Sequence, residues 1–393
     1  MTKISRQKIR KRYRNKRPAG PMKNLKNKNK DQKVFSALPN EIILQVFSYL
    51  KIVDLLECGQ VSKRFRTIIY DDQFLWPKKI NLCHKKVPVG LIQNLLNSGC
   101  EYLSLNEAVL DGALNLPNVS SLKYLNLAAV KSDRQNSEEI LESCYSLLKL
   151  SLSEFYLSSR LIRLTSLQNG KTLRVLDLSN CTFNRYNVHY QEHEFNCIQK
   201  IVEYCTELKE LSLYMTRLCE KSIEFLVFYL TPNIEKLDLY GQSDLKDRHV
   251  FTLVSRCNKM TELNLGGWTL ITKQALNFII EHLQETLVKL NFEYTNVDLG
   301  TSDLLKMNSM IKLRVLSYDN YDMYGKDWND YVDFELLKEQ LPSLRIISEV
   351  SKSGKRPSRK RIAIPCHPEY DHRRFWEIDA EQEELSSAYI ENL

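Results

Sequence analysis

The feature that most constrains this chain is a six-residue pattern, L-x-x-L-x-L, that recurs along most of its length. Clear copies are LKYLNL at Leu122, LLKLSL at Leu147, LRVLDL at Leu173, LKELSL at Leu208, IEKLDL at Ile234, MTELNL at Met260, LVKLNF at Leu287 and LRVLSY at Leu313. With a weaker first copy ending at Leu105, the last apolar positions run 105, 127, 152, 178, 213, 239, 265, 292 and 318, so most spacings are 22–27 residues. A period of that size means stacked units rather than one closed core, because a single unit cannot bury its apolar face alone. Each copy is followed by a helical stretch, such as HVFTLVSRC ending at Cys257 or KQALNFIIEHL ending at Leu283. The unit is therefore strand then helix, and because helices are wider than strands the stack must curve, with the strands on its concave side. LRII at Leu344 reads as a degenerate last copy.

Ahead of the repeats stands a different kind of segment. LPNEIILQVFSYL places Ile42, Ile43, Val46, Phe47 and Leu50 on one helical stripe, and Pro39 suits the first turn because its missing N–H would be unpaired there anyway. After the apolar stretch from Val53 to Cys58, QVSKRFRTIIYD puts Val61, Phe65, Ile68 and Ile69 on one face, and Trp76 closes the unit. About forty residues with three short helices bury only a modest fraction of their surface, so some apolar face is expected to be shared with a partner. The alternative is a three-helix cap with no partner.

These residues resemble the F-box, the motif that docks on the Skp adaptor of cullin-RING ubiquitin ligases. The resemblance runs through Leu38, Pro39, Glu41, Ile42, Ile43, Phe47, Leu50, Leu55, Leu56, Val61, Arg64, Phe65, Leu75 and Trp76, with Ser62 where the family has Cys and Phe65 where it has Trp. The repeat length is similar to that of leucine-rich repeats, and Cys144, Cys205 and Cys257, each three residues before a copy, resemble their cysteine-containing subclass. The expected fold class is α/β: a curved leucine-rich-repeat solenoid of strand–helix units preceded by a three-helix F-box. The resemblance implies a non-catalytic substrate-recognition subunit of an SCF-type ligase, working with Skp adaptor, cullin and RING subunits to send a bound protein to proteasomal degradation. Leu38, Pro39, Glu41, Ile42, Ile43, Phe47, Leu50, Leu55, Leu56 and Trp76 would form the adaptor face. Two other readings stay open: a nuclear scaffold whose basic arms contact nucleic acid, and an F-box subunit that does not promote degradation.

Within a strand the leucines point inward and alternate residues face the concavity. From the third clear copy onward that register presents Val175, Asp177, Ser179, Glu210, Ser212, Tyr214, Lys236, Asp238, Tyr240, Glu262, Asn264, Gly266, Lys289, Asn291, Glu293, Val315, Ser317 and Asp319. Asp177, Glu210, Tyr214, Lys236, Asp238, Tyr240, Glu262, Asn264, Asn291 and Glu293 are the expected substrate contacts. Six acids against two lysines favour a basic partner segment, with the tyrosines as anchors. A phosphorylated degron would be repelled unless an accessory protein supplied cations.

The spacing from 178 to 213 carries a surplus near Asn184 to Phe195, expected to be an exposed insertion. His189, His193 and Cys197, four apart, share a helix face there, but no nearby Cys/His pair completes a tetrahedral zinc set. No metal or cofactor is expected. P-loop, G-x-S-x-G, H-E-x-x-H and dinucleotide-turn motifs do not occur.

The net charge of +8 belongs to a tail: residues 1–33 carry fourteen Lys or Arg and one acid. That segment is expected to be disordered, with Lys8 to Arg17 suited to an import receptor, to nucleic-acid phosphates, or to solubility alone. The remaining bounds are an F-box over 34–78, about ten repeats over 79–350 and a C-terminal tail over 351–393. In that tail six basic residues between Lys352 and Arg361 could fold into the acidic concave face. No stretch has the apolar length of a membrane span or signal peptide, and no C-x-x-C pair occurs, so a reducing nuclear or cytoplasmic setting without disulfides is expected.

Overall fold

The structure is a computed structural model that describes residues 37–50, 52–72, 75–76, 78–112, 121–131, 134–183, 190–267, 269–297, 299–318, 334–347 and 383–384. The expected disorder of 1–33 and the basic stretch 352–361 fall outside these residues.

Among the described residues three short helices come first: α1 (Asn40–Phe47), α2 (Ile52–Val61) and α3 (Lys63–Asp71). Their core is Ile43, Phe47, Leu55, Leu56, Ile68, Ile69 and Trp76, all buried. Phe65 meets Phe47 edge to face at 5.2 Å, and the Trp76 indole N–H donates to the Ile69 carbonyl at 2.9 Å. The two departures from the F-box pattern have local uses. Phe65 fills that aromatic contact, while Ser62 caps α3 by accepting the Phe65 N–H at 3.1 Å.

The rest is strand and helix in alternation: β1 (Lys79–Asn81), β2 (Lys86–Pro88), α4 (Val89–Asn97), β3 (Tyr102–Ser104), β4 (Val109–Asp111), β5 (Tyr124–Asn126), α5 (Arg134–Glu142), β6 (Lys149–Ser151), α6 (Ser159–Arg163), β7 (Val175–Asp177), α7 (Tyr190–Tyr204), β8 (Glu210–Ser212), α8 (Glu220–Tyr229), β9 (Lys236–Asp238), α9 (Asp247–Arg256), β10 (Glu262–Asn264), α10 (Lys273–Leu283), β11 (Lys289–Asn291), α11 (Thr301–Met307), β12 (Val315–Ser317), α12 (Phe334–Gln340), β13 (Arg345–Ile347) and β14 (Glu383–Glu384). Among the described residues twelve strands form one sheet in the order β13, β12, β11, β10, β9, β8, β7, β6, β5, β3, β1, β14, and β2 pairs separately with β4. All pairs are parallel and in strict register, so Leu103, Leu125, Leu150, Leu176, Leu211, Leu237, Leu263, Leu290 and Leu316 form one buried row. The buried side chains of the N-terminal helices and the solenoid form one continuous cluster.

β1 is a repeat strand that the leucine pattern does not reveal, because PKKINL keeps only the last two apolar positions, Ile80 and Leu82. The sheet also gains an edge from outside the repeats. Glu383 and Glu384 pair with Ile80 and Asn81, at the opposite end of the sheet from β13.

A backbone device repeats as faithfully as the leucines. Two residues past each last apolar position the chain has positive φ: His84, Glu107, Ala129, Glu154, Asn180, Met215, Gly241, Gly267 and Tyr294. The N–H of that residue then donates into the next coil, as from Glu154 to the Ser179 carbonyl (2.8 Å) and from Met215 to the Tyr240 carbonyl (2.8 Å). Most of these positions tolerate the left-handed conformation without glycine, which costs about 1–2 kcal/mol each. Gly267 has no such choice: a β-carbon there would sit 2.6 Å from the Gly241 nitrogen and 2.7 Å from the Tyr240 ring.

Candidate functional site

On α1 the apolar stripe divides into two faces. Ile43 and Phe47 turn inward, whereas Ile42 (44 % exposed), Val46 (42 %) and Tyr49 (82 %) turn outward at i, i+4 and i+7. Val61, at the end of α2, is 72 % exposed. Pro39 and Glu41 are exposed, and Leu38 and Leu50 half-buried. Arg64 braces the entry to α1, donating to the Leu38 carbonyl and, at 2.7 Å, to Asn40 Oδ1. Of the expected adaptor contacts, Ile43, Phe47, Leu55, Leu56 and Trp76 are therefore not available to a partner: they are the unit's own core. The available set is Leu38, Pro39, Glu41, Ile42 and Leu50, together with Val46, Tyr49 and Val61. The signal for Val46 is present in the sequence, since a stripe broad enough to hold adjacent residues 42–43 and 46–47 cannot bury all of them.

The strict register arranges the concave side in rows. The first reads Lys79, Tyr102, Tyr124, Lys149, Val175, Glu210, Lys236, Glu262, Lys289, Val315 and Arg345. Its C-terminal part neutralises itself. Lys236 Nζ lies 3.3 Å from Glu210 and 3.7 Å from Glu262, and Lys289 Nζ 3.2 Å from Glu262. Burial alone would lower the Lys236 pKa, but Glu262 and Glu210 hold it above the ordinary value.

The second row is a ladder of Asn, Ser and Asp whose side chains serve the backbone. Asn81, Asn126, Asp177, Asp238, Asn264 and Asn291 each accept the N–H two residues on, at 3.0, 2.9, 2.9, 2.9, 3.3 and 2.7 Å, which sets up the left-handed residue that follows. Asp177 also accepts from Ser151 Oγ at 2.7 Å and from Ser179 Oγ. Desolvation pushes the half-buried Asp238 carboxyl up to about 7, against the hydrogen bond from the Tyr240 N–H, with Asp177 adding to the rise. Tyr214 and Tyr240 stack at 4.8 Å and 15°, both buried, with the second ring over Gly266 and Gly267.

These positions correct the expected acidic face. Asp177, Asn264, Asn291 and Glu293 are buried, Asp238 is only partly ionised at neutral pH, and Glu210 and Glu262 are matched by the lysines. Asp319 lies outside the described residues. A count of acids treats every alternate residue as solvated, but the second row is committed to the turns.

The surplus between 178 and 213 goes into α7, a fifteen-residue helix, and not into an exposed insertion alone. Cys197 is buried, and Glu194, expected on a wet surface, is buried too and accepts the Cys219 N–H at 2.7 Å to cap α8. His193 Nε2 sits 2.9 Å from the Leu157 carbonyl, so it donates there and is not a free ligand atom. His189 falls outside the described residues. A second cluster, Glu220, Glu224 and His249, has ligand atoms close enough for a cation. Its carboxylates are bound instead by Lys246 and Arg248, and His249 Nδ1 accepts the Lys246 N–H at 3.0 Å. Burial, then Arg248, keeps that ring's pKa low. Cys144, Cys205 and Cys257 are free and buried; burial raises the first two to about 12 and the third to about 11. They are packing residues rather than nucleophiles. No helix among the described residues is long and apolar enough to cross a membrane.

The architecture defines a class: a three-helix unit fused to a leucine-rich-repeat solenoid. The family model described as F-box-like matches residues 35–80, so the three-helix unit is an F-box-like domain. Among solved structures, the chain is similar to the yeast Rad7 and Elc1 complex (14 % identity, TM-score 0.44, covering 84 % of this chain and 93 % of that one). It is also similar to an internalin, InlF, from Listeria monocytogenes (15 %, TM-score 0.38, 70 % and 87 %) and to the leucine-rich repeat-containing protein LegL7 from Legionella pneumophila (17 %, TM-score 0.34, 60 % and 92 %).

Proposed function

We propose that this chain is the substrate-recognition subunit of an SCF-type ubiquitin ligase, its F-box-like domain binding a Skp adaptor and its solenoid holding the protein to be modified. The observation that carries this reading is the outward stripe Ile42, Val46 and Tyr49, with Val61, inside the matched F-box-like segment. The unit has its own core, so these large apolar groups are exposed for a reason other than folding, and an exposed apolar patch rimmed by polar residues marks a docking face. Burying such side chains on a partner is worth about 1.5–3 kcal/mol each at full burial.

In this reading the chain performs no bond chemistry. It contributes proximity, raising the effective concentration of a substrate lysine near a conjugating enzyme brought by cullin and RING subunits. The test is binding of the purified full chain to a Skp adaptor. Ile42→Asp with Tyr49→Asp abolishes the complex while leaving the circular dichroism of the solenoid unchanged. Retained binding by this folded variant would remove the stripe from the interface.

A further inference from the structure

The first concave row is charged asymmetrically. Beyond Val175 its lysines and glutamates pair among themselves, but before Val175 it reads Lys79, Tyr102, Tyr124, Lys149 with no acid in it. Lys149 Nζ lies 5.8 Å above the centre of the Tyr124 ring. Two more cations bracket it at the strand entries: Lys123, immediately before Tyr124, and Arg174, immediately before Val175. The backbone ties them into adjacent coils, since the Lys149 N–H donates to the Lys123 carbonyl (3.1 Å) and the Arg174 N–H to the Leu148 carbonyl (2.8 Å). Lys123 Nζ meets only the neutral Ser146 Oγ, at 2.9 Å. Among the described residues none of Lys123, Lys149 and Arg174 has a carboxylate partner, whereas Lys78, Lys86, Lys209, Lys236, Lys246 and Lys289 each do. The nearby buried acid, Asp177, spends its oxygens on Ser151 and Ser179.

We infer that Lys123, Lys149 and Arg174, with Tyr124, form a binding site for an anionic peptide segment of the substrate, bearing clustered carboxylates or phosphoryl groups. This rests on the solenoid being the substrate-holding surface and names the class of segment it holds. An extended peptide crossing from Lys149 toward Lys79 spans three strand spacings, roughly 14 Å, or about four residues. Arg174 supplies a planar fork for a carboxylate or phosphate, and Lys149 a point charge held over the Tyr124 ring.

The test is fluorescence anisotropy of the full chain with labelled hexaglutamate, with a six-residue peptide containing two phosphoserines, and with hexalysine. Both anionic peptides bind and hexalysine does not. Lys149→Glu with Arg174→Glu weakens anionic binding by about tenfold or more, and Lys149→Gln with Arg174→Gln weakens it less, with circular dichroism unchanged. Tighter binding of the phosphoserine peptide than of hexaglutamate assigns the site to phosphoryl groups; equal binding assigns it to carboxylates. Anionic affinity unchanged in the Glu variant would overturn the inference and move the anions to the basic residues 1–33, as would preferential binding of hexalysine. Adaptor binding by the Glu variant, measured in parallel, stays at the wild-type level, so failure of this site and failure of the ligase reading give different results.

Discussion

Asp238→Asn is predicted to stabilise the protein at neutral pH. Asp238 holds the same place in its coil as Asn126, Asn264 and Asn291 hold in theirs, accepting the N–H two residues on through Oδ1. An amide performs that task without charge. The carboxylate instead faces desolvation, which moves its pKa from 3.8 to about 7. Between those values the folded protein keeps a proton that the unfolded chain has released, so this group's contribution is fully present below about pH 3.8 and is lost as pH rises through about 7. At about 1.4 kcal/mol per pKa unit the full loss is ~4 kcal/mol, and ~2 kcal/mol is the working figure for a half-buried group with some solvent access. The Asn variant removes this slope while retaining the Tyr240 hydrogen bond. Thermal or urea unfolding of both proteins from pH 4.5 to pH 8 should give curves that nearly meet at the acid end and separate as pH rises, with the variant the more stable. Parallel curves, or a less stable variant at pH 8, would refute the argument and imply that the Asp238 carboxylate has a partner that stabilises its charge.

Other consequences follow from the same geometry. Phe47→Ala should unfold or loosen the F-box-like unit, costing about 3–5 kcal/mol, because Phe47 is core and loses its contact with Phe65; hydrogen exchange in α1 to α3 would report it. Gly267→Ala should cost about 2–5 kcal/mol in unfolding free energy, from the left-handed backbone and the clash with Gly241 and Tyr240. Ala129→Gly, at the same place in another coil, should instead stabilise by about 0.5 kcal/mol, relief of the left-handed strain outweighing the added chain entropy. Iodoacetamide at pH 8 should leave Cys144, Cys205 and Cys257 unmodified in the native protein and label them after denaturation, as mass spectrometry of the peptides would show.

Much of the architecture is legible in the residues because both signals are periodic. L-x-x-L-x-L places Leu125, Leu150, Leu176 and Leu211 in one buried row, and the register follows from identical repeats. What escapes the pattern is what departs from it: β1, where Pro77 stands where other repeats have their leading apolar residue, and β14, which comes from another part of the chain. The candidate site is less legible for a different reason. Alternation tells which residues leave the leucine side, but not whether their side chains reach solvent or turn back to the chain. Asp177 and Asn291 turn back to backbone N–H groups, whereas Lys149 remains available. Likewise a helical stripe does not say where inside ends: Ile42 and Ile43 are neighbours in sequence and lie on opposite sides of that boundary.

The central claim is tested most directly by affinity purification of the full chain from its own cells with the proteasome blocked, beside the Ile42→Asp and Tyr49→Asp double variant, with the captured proteins identified by mass spectrometry. The account predicts that a Skp adaptor and a cullin accompany the wild-type chain and disappear with the variant, while a set of substrate proteins is retained by both. Absence of adaptor and cullin from the wild-type capture, or their persistence on the folded variant, would contradict it.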